Sequence, residues 1–155
     1  MNTYKILFIG DGGVGKTTFL NTSNGKSFDG KYIPTLGVEV TPIKLSNSIF
    51  NIWDCAGNEK FRGLGDGYYL NGQGAILFFD LTSLATLNNI GKWVRDCFRI
   101  NGNIPFLIVG TKSDIKGAMS DGDVKKVLGD TPFIRTSSKR NENVSSVLQL
   151  LQDKM

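Results

Sequence analysis

The chain has 155 residues, 40% apolar, 10% aromatic and 21% charged, the composition of one ordinary globular domain rather than a fibre or a disordered tail. It contains no histidine and two widely separated cysteines, Cys55 and Cys97, which argues against a zinc site, a disulfide framework and every nucleophile system built on imidazole. The net charge of +4 is spread along the chain, densest in pairs such as Lys125-Lys126 and Lys139-Arg140, a solvated surface rather than a nucleic-acid-binding stripe.

The opening residues carry no signal-length apolar stretch, and the longest apolar runs have the length of strands, so neither secretion nor membrane spanning is expected. Asn2 excludes myristoylation, and the ending Gln152-Asp153-Lys154-Met155 offers no cysteine for a prenyl group, so no lipid anchor is expected. Reduced thiols fit an intracellular protein, cytoplasmic or nuclear.

In chain order, residues 4–9 (YKILFI) predict a buried strand ending at Gly10, followed by a helix over 16–22. Residues 38–45 and 49–54 flank Ser46-Asn47-Ser48 and read as an antiparallel hairpin, with Pro42 favouring an edge position for its first strand. Residues 75–79 (AILFF) and 105–109 (PFLIV) are again buried parallel strands. Between them, Leu87, Ile90, Trp93, Val94, Cys97 and Phe98 form the stripe of an amphipathic helix over 84–100. Residues 132–136 supply a sixth strand, and Val144, Val147, Leu148 and Leu151 mark a closing helix. Strands alternating with helices, plus one hairpin, predict an open doubly wound α/β sheet in a single domain over 1–155, with its ligand at the carboxyl ends of the strands.

The chemistry-bearing motifs fall at those ends. Gly10-Asp11-Gly12-Gly13-Val14-Gly15-Lys16-Thr17 matches GxxxxGK[ST] between a strand and a helix. Curled glycine backbone and a helix N-terminus point N–H groups at phosphate oxygens, Lys16 reaches the β- and γ-phosphates, and the Thr17 hydroxyl ligates Mg²⁺. The competing reading is a glycine-rich turn. Asp54-Cys55-Ala56-Gly57 ends the hairpin's second strand, placing Asp54 toward the metal through water and the Gly57 N–H toward a γ-phosphate. Thr111-Lys112-Ser113-Asp114 follows another buried strand. A carboxylate there accepts from both N1–H and the exocyclic amine of guanine, a pair that adenine lacks, while Lys112 lies along the nucleotide; a polar helix cap is the alternative.

The Ser138 N–H in Ser137-Ser138-Lys139 is placed to meet guanine O6. Phe28 packs on the base edge or in the core, with equal claim. Thr35, in the polar segment 27–35, is a second hydroxyl ligand, and glycines 63, 65 and 67 predict a second mobile loop after Gly57.

In this order and spacing, across about residues 4–150, the motifs resemble the Ras superfamily of small GTPases and, within it, the Ran branch of nuclear-transport GTPases. The stretches are GDGGVGKTTFL (10–20), KYIPTLGVEV (31–40), FNIWDCAGNEKFRGLGDGYYL (50–70) and NIPFLIVGTKSDIK (103–116). The resemblance implies a P-loop small G domain that binds GTP or GDP with Mg²⁺, hydrolyses GTP slowly, and works with an exchange factor, an activating protein and effectors, importin- or exportin-type receptors among them.

It places Asp11, Gly12, Gly13, Val14, Gly15, Lys16, Thr17, Thr18, Phe28, Tyr32, Thr35, Gly57, Thr111, Lys112, Asp114, Ser137, Ser138 and Lys139 around the nucleotide. Thr17, Thr35 and Asp54 surround the metal, and Lys16, Thr35, Gly57 and Asn58 the reacting phosphate.

Three departures carry expectations. Asn58 stands where the family pattern DTAGQ has glutamine, one methylene longer; withdrawing the amide by about 1.5 Å costs on the order of 10²-fold in positioning. Impaired hydrolysis is therefore expected, the alternative being a GTP-bound binding module that competes for transport receptors. Thr111 replaces the commoner Asn of NKxD, which predicts weaker guanine binding. The sequence as given closes on its last helix without the acidic tail of the Ran branch, so tail-dependent partner selection is not expected. With no arginine from Lys26 to Gly37, an activating protein has to supply one in trans.

Overall fold

Period-two burial organises the whole molecule. In the computed structural model, which describes residues 1–25, 38–55 and 68–155 (backbone only at Val38 and Cys55), Ile6 and Phe8 face one side of a sheet while Leu7 and Ile9 face the other. Both faces are buried, as the unbroken apolar run requires of a central parallel strand.

The elements are β1 (Asn2–Gly10), α1 (Lys16–Ser23), β2 (Val38–Lys44), β3 (Ser48–Cys55), β4 (Gly74–Asp80), α2 (Leu84–Asn88), α3 (Ile90–Asn101), β5 (Phe106–Thr111), α4 (Asp121–Leu128), β6 (Ile134–Arg135) and α5 (Val144–Lys154). The strands form one six-stranded sheet in the order β2-β3-β1-β4-β5-β6. Only β2 and β3 pair antiparallel, and β2 lies at the edge, where Pro42 pairs with Asn51. A residue without an N–H is tolerated there because the outer side of an edge strand has no neighbour to receive the bond. The six-stranded, mostly parallel α/β sheet with an edge hairpin is thus the architecture found.

One face of the sheet buries Phe19 and Leu20 of α1 and Val144, Val147, Leu148 and Leu151 of α5. Phe8, Phe19 and Phe78 meet with ring centroids 4.9–5.8 Å apart. All three rings are fully buried, each worth about 1.5–3 kcal/mol of hydrophobic stabilisation, so α1 is fixed one turn after the loop that precedes it. The other face packs Leu87, Ile90, Trp93 and Cys97, with Val124 of α4. Burial pushes the Cys97 thiol up to about 11, which keeps it protonated and inert at neutral pH. Cys55 is described by its backbone alone.

The hairpin turn is held from the far end of the chain. Gln152 of α5 accepts from Asn47 N and Ser48 Oγ at 3.1 and 2.7 Å and donates to Ser46 Oγ at 3.1 Å. Among the described residues no helix is long and apolar enough to cross a membrane.

Three elements differ from expectation. The single helix over 84–100 is two, jointed at Asn89, whose near-helical backbone (φ −84°, ψ −8°) keeps the apolar stripe in phase from Leu87 through Cys97. The sixth strand shrinks to two residues, Ile134 and Arg135, which pair in register with Val109 and Gly110 of β5. Helix α4 has no counterpart among the expected elements, although its start is marked locally. Ser120 Oγ accepts from Asp123 N while the Asp123 carboxylate accepts from Ser120 N, a capping box, yet Val124 is the one buried side chain of its eight residues.

Candidate functional site

At the carboxyl ends of β1, β3, β4 and β5, and in the turn after β6, most of the candidate side chains among the described residues collect. The turn after β1 needs its glycines at two places. A Cβ on Gly10 would sit 2.5 Å from the Phe78 carbonyl oxygen, and Gly15 has φ +96°, a left-handed conformation that costs any other residue. From Gly15 the chain enters α1, whose first turn leaves N–H groups without intrahelical partners, the feature that suits a helix start to anions.

Lys16, only 6% exposed, folds back over this loop and donates from Nζ to the Gly10 carbonyl at 2.8 Å and the Asp11 carbonyl at 3.0 Å. A buried ammonium braced this way is a fixed positive charge in the mouth of the loop. Val14 is fully buried, whereas Gly12 is exposed and Gly13 and Thr18 are half-buried.

Beside the loop, Thr17 Oγ1 donates to Asp54 Oδ2. Asp54 is fully buried, and its Oδ1 has no hydrogen-bond partner among the described residues. Burial raises its pKa, against the Thr17 hydrogen bond and the Lys16 charge, which lower it, and Glu39, which raises it.

A buried carboxylate with an unpartnered oxygen beside a hydroxyl oxygen fits a hard cation such as Mg²⁺. No group of three or more His, Cys, Asp or Glu gathers among the described residues.

The turn after β5 is tied to the turn after β1. Thr111, 4% exposed, directs its hydroxyl to the Val14 carbonyl at 2.5 Å and the Phe79 carbonyl at 3.1 Å. Here threonine supplies the loop contact directly, so its substitution for asparagine leaves β5 fastened to the phosphate loop. Lys112 adds a second tie, donating to the Gly13 carbonyl at 3.0 Å and pairing with Asp80 at 2.8 Å. Its backbone is left-handed at φ +64°, strain that contacts on both sides of the residue hold in place.

Asp114 follows, half-buried, with Oδ1 accepting from Ser137 Oγ at 2.8 Å. Ser137 in turn accepts from Arg140 N at 3.1 Å, so the turn after β6 props the carboxylate from behind. Ser138 is half-buried and Lys139 exposed on that same turn.

The structure thus brings Lys16, Thr17 and Asp54 together at one end and Asp114 and Ser137 at the other, joined through Thr111 and Lys112. Phe28, Tyr32, Thr35, Gly57 and Asn58, with the loop segments 27–35 and 58–67, lie outside the described residues.

Sequence reasoning missed two contributors. Asn89, at the cap of α3, and Trp93 within it both donate to the Asp11 carboxylate, at 2.7 and 3.0 Å. In sequence Trp93 reads as a packing or an effector-face residue, and nothing local links either residue to a loop 78 positions before Asn89.

The family model described as Ras family matches residues 5–155, almost the whole chain. Its members are GTP-binding molecular switches, generally GTPases, that bind guanine nucleotide, typically with Mg²⁺, together with exchange factors, activating proteins and effectors. Motif order, sheet topology and the family match agree: the chain belongs to the Ras family.

Proposed function

We propose that this chain, as one G domain over 1–155, binds GTP and GDP with Mg²⁺ at the joined site and hydrolyses GTP slowly. The observation that supports this reading is the braced Lys16 and the Thr17–Asp54 pair at the carboxyl ends of β1 and β3, with Asp114 following β5 of the same sheet. Lys16 and the loop N–H groups neutralise and orient the phosphates, Thr17 and Asp54 hold the metal, and Asp114 accepts from the guanine edge. The metal, when bound, offsets charge on the β- and γ-phosphates. Thr35, the Gly57 N–H and Asn58 complete the reacting end, Asn58 orienting the attacking water. Phe28, Tyr32, Ser138 and Lys139 contact the rest of the nucleotide.

The regulators proposed are an exchange factor and an activating protein that supplies an arginine. The four stretches that resemble Ran favour importin- or exportin-type receptors as effectors.

Asn58 separates a slow hydrolase from its alternative, a GTP-bound binding module. We expect Asn58→Gln to speed single-turnover phosphate release from preloaded GTP by on the order of 10²-fold. A variant no faster than the parent contradicts the role given to Asn58. A parent that releases no phosphate over a day, while its Gln variant does, establishes the binding module.

A further inference from the structure

The phosphate loop contains an acidic residue, which is unfavourable beside a bound triphosphate unless its charge is turned away and satisfied. Asp11 meets both conditions. Its carbonyl faces Lys16 Nζ at 3.0 Å, while its two carboxylate oxygens are divided between Asn89 Nδ2 at 2.7 Å and Trp93 Nε1 at 3.0 Å. Residue 11 is therefore held on one side by the ammonium that would reach the phosphates and on the other by helix α3.

Asn89 occupies the first cap position of α3, where an asparagine side chain ordinarily accepts from the helix's own N–H groups. It makes no such bond and turns to Asp11 instead. The start of α3 also presents the positive end of the helix dipole to the carboxylate. Trp93 is 8% exposed, with Lys92 Nζ 4.9 Å from its ring centroid, so the indole that donates the second bond is itself fixed.

We propose that Asn89 and Trp93 are positioning residues for nucleotide binding. Acting through the Asp11 carboxylate, they fix the peptide against which Lys16 is braced and keep an anion off the phosphates. This rests on the phosphate-binding reading above. It makes α3, a helix whose own residues lie outside the phosphate loop, a determinant of how long nucleotide stays bound. Freed from its donors, Asp11 swings toward the ligand and loosens the loop together.

The test is a double-substitution cycle read on the release rate of mant-GDP in Mg²⁺ buffer, with thermal unfolding followed in parallel. Trp93→Phe keeps the packed ring and removes only the N–H; Asn89→Ala removes the other donor. Each is expected to speed release about tenfold, the worth of one hydrogen bond to a charged group. In an Asp11→Ala background neither should change the release rate further. Unchanged release in the single variants overturns the proposal, as does an equal acceleration with and without Asp11, which would mean that Trp93 and Asn89 act by packing alone. A parent that retains no mant-GDP refutes the underlying nucleotide-binding reading instead, and the two failures are told apart by the parent alone.

Discussion

Replacing Lys16 with methionine should lower GTP and GDP affinity at least about a hundredfold. Lys16 places a nearly buried ammonium, 6% exposed, on the Gly10 and Asp11 carbonyls, and methionine keeps the stem while deleting the charge. Two consequences add. The phosphates lose their fixed cation, and the two loop carbonyls lose their donor, so the loop itself loosens. A charge-assisted contact to phosphate is worth about 1.5–3 kcal/mol, and with the loosened loop the loss reaches the hundredfold figure. Phe19, Val14 and the rest of the adjacent core are untouched by the change, so the variant should still unfold cooperatively. Filter binding of labelled GDP checks the affinity, and retention within threefold of the parent would remove Lys16 from the site.

The second large effect lies after β5. Asp114→Asn should cost guanine nucleotide about a hundredfold or more and at the same time improve xanthine nucleotide. Guanine offers two donors, N1–H and the 2-amino group, and a carboxylate accepts both. An amide accepts one and presents its own NH₂ to the other, leaving a buried donor unsatisfied. Xanthine carries a carbonyl at that position and so meets the amide with the right polarity. The Ser137 hydroxyl, 2.8 Å from Oδ1, can still donate to the amide oxygen, which keeps the side chain in place. Competition of GDP and XDP against mant-GDP gives both numbers. Loss of guanine without any gain of xanthine would indicate a damaged loop rather than an altered reader.

Much of this arrangement is written locally. The buried strands announce themselves as unbroken apolar runs closed by Gly10, Asp80 and Gly110, and Pro42 marks the sheet edge because it has no N–H to give. The phosphate loop is legible because close backbone approach and φ +96° demand glycine at fixed offsets. What stays hidden depends on contacts between distant residues. Thr111 reads as an imperfect base-recognition motif, and only the fold reveals its hydroxyl against the Val14 carbonyl, 97 positions away. Asp11 reads as one more loop residue, although its carboxylate belongs to α3. Helix α4 escapes the periodicity because it lies on the surface with one buried side chain, so its capping box is the better signal.

The most direct test of the nucleotide-binding account is competitive loading. The protein is stripped with EDTA, offered equal GTP and ATP, returned to Mg²⁺, desalted and denatured, and the released nucleotide is separated by chromatography. The account predicts stoichiometric guanine nucleotide and no adenine nucleotide, with the yield collapsing when Mg²⁺ is omitted. Equal amounts of guanine and adenine nucleotide would contradict the role of Asp114, and the absence of any bound nucleotide would contradict the site as a whole.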